Sequence, residues 1–146
     1  MTLRTRGEHR YGDRPQDIRK EIERYAKANT YRAHHFAEAI CSCGGNLFRV
    51  QLDDVAGAAV RRCVACKKRH AIGDSGEFLE GATLDDCACP CGNESLEVTV
   101  GVSLYRGSED VRWLYLGCRC PRCMLTAVYG DWKNEYCGFR ELLSRV

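Results

Sequence analysis

The chain has no run of apolar residues near the ~20 that a membrane-spanning helix needs. Nor does it open on a secretory leader, because MTLRTRGEHRYGDRPQD is polar and charged. It lacks an excess of charge of either sign: 22 basic and 20 acidic side chains leave +2 over 146 residues. That balance does not announce nucleic-acid binding as a strongly basic domain would. Lysine is scarce, at 5 against 17 arginines, a bias that codon usage explains as readily as chemistry. Gly-rich phosphate loops are absent. So is the zinc-deaminase pairing of H-x-E with P-C-x-x-C. Pro90-Cys91-Gly92-Asn93 has no second cysteine, and His35-Phe36-Ala37-Glu38 is one residue too long. Together these gaps predict a cytoplasmic protein with no membrane segment and no enzymatic activity.

What the chain does have is cysteine, 11 in all. An odd number, in tight clusters, with no sign of secretion, points to metal ligands rather than a disulfide framework. The clusters come as two copies of one pattern. Cys41-Ser-Cys43-Gly-Gly matches Cys89-Pro-Cys91-Gly-Asn, and Cys63-Val-Ala-Cys66 matches Cys120-Pro-Arg-Cys123. In each copy six residues then lead to Gly-Asp, at Gly73-Asp74 and Gly130-Asp131.

The intervals between the pairs, 19 and 28 residues, predict hairpins. Leu96, Val98, Val100, Val102 and Leu104 alternate with Glu97, Thr99, Gly101 and Ser103, a period-two strand signal. Residues 106–110 supply a turn, and residues 111–117 return through strand formers. In the first copy, residues 47–52 go up and 58–62 come down. Folding a hairpin brings its ends together, so four thiolates converge, as a tetrahedral divalent ion requires. The expected ligands are Cys41, Cys43, Cys63 and Cys66 for one ion, and Cys89, Cys91, Cys120 and Cys123 for the other. A one-residue gap in each first pair departs from rubredoxin-type iron sites, so two Zn2+ ions are the expected cofactors.

This arrangement resembles the zinc-ribbon group of folds, with a rubredoxin-like knuckle, as a tandem repeat. The resemblance covers residues 41–74 and 87–131 and implies structural metal without naming a function. The expected fold class is α+β. Two tandem zinc-ribbon hairpin units follow a long N-terminal helix and precede a short C-terminal one. The expected divisions are an arm and helix (1–40), ribbon one (41–74), a connector (75–86), ribbon two (87–131) and a tail with a helix (132–146). The long helix rests on Ile18, Ile22, Tyr25, Ala26, Ala33, Phe36, Ala37 and Ile40, which recur at helical spacing, while Asn29-Thr30 leaves one helix or two open. His34 and His35 would then sit in its last turn, favoured by the helix dipole. Asp74 and Asp131 read as turn residues that end the ribbons.

Cys87, Cys118 and Cys137 remain, as candidates for an extra metal site or as free thiols. Buried small apolar side chains are the plainer reading for them. His70, four residues after Cys66, reads as a surface histidine. Closed four-cysteine sites leave a metal no open position for catalysis, so the expected function is recognition. A protein adaptor or inhibitor comes first, with Tyr105, Trp113, Tyr115, Tyr129, Trp132 and Tyr136 as anchor types. The alternative partner is DNA or RNA, contacted by Arg61, Arg62, Lys67, Lys68 and Arg69, with Arg112, Arg119 and Arg122 extending the patch. Two observations count against it. Cations there also balance the thiolates, and residues 81–146 carry seven basic against nine acidic groups.

Overall fold

Alternating apolar and polar residues dictate most of the architecture. A computed structural model describes residues 3–146. In chain order the elements are β1 (Arg4–Arg6), β2 (His9–Tyr11), α1 (Asp17–Ala28), β3 (His35–Glu38), β4 (Phe48–Asp53), β5 (Ala58–Cys63) and β6 (Arg69–Ala71). A 3-10 turn at Ser75–Glu77 leads to β7 (Asp85–Cys87), β8 (Glu97–Leu104), β9 (Val111–Arg119), β10 (Leu125–Lys133) and α2 (Phe139–Leu143). The strands form two antiparallel sheets, ordered β1-β2-β10-β9-β8-β3 and β6-β5-β4-β7.

The period of two in β8 sorts its side chains between two layers. Val98, Val100 and Val102, with Leu114, Leu116 and Cys118 of β9, join one core with Phe48, Val50, Leu52 and Ala59 of the smaller sheet. The opposite face carries Gly101 and, on β9, Tyr115 and Gly117, and it receives α1. Ile18, Ile22 and Ala26, four apart along that helix, are fully buried there with Tyr115. Two glycines permit the close approach. A Cβ on Gly117 would lie 2.6 Å from Ile18 Cγ2, and one on Gly101 would lie 2.8 Å from Ile22 Cγ2. The layers are therefore helix, larger sheet and smaller sheet, with the far face of the smaller sheet open to solvent.

The expected α+β layout is overturned: the molecule is mostly antiparallel sheet, and no long N-terminal helix exists among the described residues. The helix stops at Ala28, capped by Asn29, whose N–H reaches the carbonyls of Tyr25 and Ala26. Thr30 then takes a left-handed φ of 78° and turns the chain. Residues 35–38 pair instead with β8, His35 opposite Val102 and Glu38 opposite Thr99. Apolar residues at 33, 36 and 37 keep helical spacing, and the free hydrogen-bonding edge of β8 overrides that local signal. Ile40, assigned to the helical face, is 60% exposed. His35 is thus a strand residue, stacked on Phe139 at 4.0 Å, and lies in no helix's last turn.

The two sheets are tied by more than their common core. Phe48 and Leu96 exchange backbone hydrogen bonds of 2.8 and 2.9 Å, joining the starts of β4 and β8. Asp85–Cys87 pairs with β4, so the segment before the second cysteine group is an edge strand of the smaller sheet.

Candidate metal centres

Both cysteine groups close at strand ends, by the same local geometry. In the first, the N–H of Cys41 reaches the Gly45 carbonyl and that of Gly44 reaches the Cys41 carbonyl, both at 2.8 Å. In the second, Cys89 pairs with Asn93 and Gly92 with Cys89, at 2.9 and 2.8 Å. Gly44 and Gly92 hold φ of 93° and 96°, a region where a side chain is strained. The second pairs match as well. The N–H of Lys67 reaches Cys63 and that of Met124 reaches Cys120, at 2.9 and 2.8 Å. Lys67 and Met124 take left-handed φ of 69° and 72°. Nothing in their side chains announces that conformation, and only the coincidence of the two knuckles could have pointed to it.

These turns bring the eight expected cysteines into two groups of four. In each, all four sulfurs lie within 4.8 Å of one another. Cys41 and Cys66 are 3.5 Å apart, Cys43 and Cys63 3.6 Å, Cys89 and Cys123 3.3 Å, and Cys91 and Cys120 3.7 Å. A tetrahedron with bonds of ~2.3 Å to sulfur has edges of about 3.8 Å, so each group fits one thiolate-binding ion. The clusters are consistent with zinc-knuckle-like motifs.

The protein also prepares the thiolates. The backbone N–H of Cys43, against burial and with help from the neighbouring thiols of Cys66, Cys43 and Cys63, draws the Cys41 pKa down to about 6. At Cys120 burial pushes upward. The Asn93 side-chain amide, 3.2 Å from the sulfur, and the N–H groups of Cys123 and Arg122 outweigh it and leave the pKa at about 6. Cys63 in the first cage is also held below the ordinary thiol value, chiefly by the N–H of Cys66.

The other three cysteines join neither group. Cys118 is fully buried in the shared core, where burial raises its pKa well above the ordinary thiol value. Cys87, half-buried at the end of β7, is pushed up to about 11 by burial and by Asp86 and Asp85. Cys137 is exposed. His70 bonds through Nε2 to the Arg145 carbonyl at 2.6 Å, away from the sulfurs.

The Gly-Asp shared by the two copies is not a turn in the second. Asp131 lies inside β10, where it accepts hydrogen bonds from Tyr25 Oη at 2.9 Å and Trp113 Nε1 at 2.8 Å. It pins α1 to the larger sheet. Asp74 is buried and accepts from Asn134 Nδ2 at 3.1 Å, and burial raises its pKa.

The cationic candidates divide by strand alternation. Arg61 is buried, its guanidinium over the Phe48 ring at 4.5 Å and donating to the Val146 carbonyl at 2.9 Å, so it does not reach the outer surface. Arg62, Lys67, Lys68 and Arg69 are exposed. Arg119 is buried too, paired with Glu97 at 2.7 Å, and extends no patch. Arg112 is taken up over the Tyr31 ring at 4.3 Å. Sequence reading missed Arg49, which β4 places beside Arg62.

Comparison with protein-family models, with curated proteins and with solved structures finds no match. No described helix is long and apolar enough to cross a membrane.

Proposed function

We propose that the protein is a non-catalytic recognition scaffold held together by two structural Zn2+ ions. The observation that carries this reading is the closure of each cage. Four sulfurs within 4.8 Å of one another complete a tetrahedron and leave no position for water or substrate. Cys41, Cys43, Cys63 and Cys66 would hold one ion, and Cys89, Cys91, Cys120 and Cys123 the other. Each ion would lock the ends of a hairpin that loop entropy otherwise pulls apart. A set of only soft thiolates favours zinc over oxygen-preferring divalent ions.

Work in this reading is done by surfaces. Two of the six aromatic anchors expected for a protein partner, Tyr115 and Trp132, are buried and unavailable to it. Chelator competition tests the proposal. Release of two zinc equivalents per chain, with concurrent loss of the native near-ultraviolet dichroism, is the expected outcome. Release without any change in structure would overturn the scaffold role. Turnover chemistry that disappears with one ion would overturn the non-catalytic one.

A further inference from the structure

The open face of the smaller sheet breaks a rule of sheet construction. Arg49 on β4 stands directly opposite Arg62 on β5, and Arg62 stands opposite Arg69 on β6. Three arginines therefore line up across three adjacent strands, spaced about 4.8 Å apart along the hydrogen-bonding direction. Like charges directly opposite one another destabilise a sheet. The fold does little to offset this. Arg49 reaches Glu94 at 3.0 Å in an exposed pair. Among the described residues, the side chains of Arg62, Arg69 and Lys67 make no ion pair or hydrogen bond. The four cations line one concavity of about 420 Å³ together with Val60, Gln51 and Asp86, whose carboxylate accepts from Gln51 Nε2 at 2.9 Å.

Thiolate charge in the adjacent cage does not account for this row. Arg61 faces that charge from the inner side of the sheet, buried with its guanidinium over the Phe48 ring. The outward arginines lie on the other side of the sheet. A local conflict that Glu94 and Asp86 only partly offset marks a site whose partner lies outside the chain.

We propose that this face binds the phosphate backbone of nucleic acid. Guanidinium forks suit phosphate oxygens, which accept paired N–H donors. Protein partners anchor on aromatic and aliphatic groups, and this concavity has no aromatic lining and only Val60 and Val64 as aliphatic lining. Nucleic-acid interfaces are instead polar and strongly positive. The missing stacking platform makes the contact independent of base sequence. The proposal rests on the scaffold reading only in that the first cage shapes one wall, through Cys63 and Val64.

The test is fluorescence anisotropy of short labelled single-stranded and duplex oligonucleotides with the intact, metal-loaded chain. Three phosphate contacts predict a log–log salt slope of about −2.1 to −2.7, or about 20- to 40-fold weaker binding between 50 and 200 mM salt. Arg62→Gln should cut the slope by about 1. A triple Arg49→Gln, Arg62→Gln, Arg69→Gln variant should abolish binding, whereas Lys20→Gln and Arg106→Gln should leave it unchanged. Metal content and Tm are read for every variant. Removing like charges should hold or raise Tm, which separates lost binding from lost fold. No binding in ~50 mM salt, or binding indifferent to the triple variant, would overturn the proposal. Equal, equally salt-sensitive binding of poly-glutamate would overturn it in favour of an acidic protein. None of these outcomes alters the metal count, so the scaffold reading stands or falls separately.

Discussion

Among single residues, Glu97 and Arg119 hold the largest local stake. Their charges meet at 2.7 Å with side chains only 10% and 7% exposed. Arg119 also donates to the Gly12 carbonyl at 2.7 Å, tying the entry of α1 to β9. Glu97→Gln leaves a buried guanidinium without its counter-charge, and denaturant melts should show a loss of about 3–5 kcal/mol. Gly92 is a different case. At φ of 96° a Cβ would meet nothing within 4 Å, so strain is purely in the backbone. Gly92→Ala should cost about 1–2 kcal/mol and Gly92→Asn less, both read from thermal melts at fixed zinc. The eight cage cysteines were legible beforehand because ligand chemistry constrains both residue type and spacing. The inward turn of Arg61 against the outward turn of Arg62 was not, since adjacent arginines look alike until strand register assigns a face.

Among elements, the contact between α1 and the larger sheet depends on missing side chains. Gly117 and Gly101 let Ile18 and Ile22 sit directly on the backbone. Gly117→Ala inserts a methyl group 2.6 Å from Ile18 Cγ2, and overpacking of this kind costs about 1–3 kcal/mol. The helix should loosen before the sheets, seen as early hydrogen exchange confined to residues 17–28. Strand β8 was readable because long alternation has no helical equivalent, and β9 because its residues are strand formers following a turn. The segment from 33 to 40 was not. Its apolar residues at 33, 36, 37 and 40 keep helical spacing, and the bare edge of β8 overrode it. The same limit hid β6 and β7. Three-residue strands at Arg69–Ala71 and Asp85–Cys87 carry almost no pattern of their own and form because β5 and β4 offer edges.

At the scale of the molecule, each hairpin is closed at one end by a sulfur cage, and the two sheets share one core. That core joins what spacing alone describes as two units. Its existence followed from apolar faces that neither hairpin could cover alone, but its partners depended on β3 and β7 crossing between the segments. In the proposed reading, closed cages and a cationic outer face belong to a scaffold that holds rather than transforms its partner. The central claim is that each cage carries one zinc ion in a complete sulfur shell. X-ray absorption at the zinc edge on purified protein, with elemental analysis of the same sample, measures this directly. The account predicts two zinc ions per chain, each with four sulfur neighbours at about 2.3 Å. Fewer than two ions, or a shell in which oxygen or nitrogen replaces a sulfur, would contradict it.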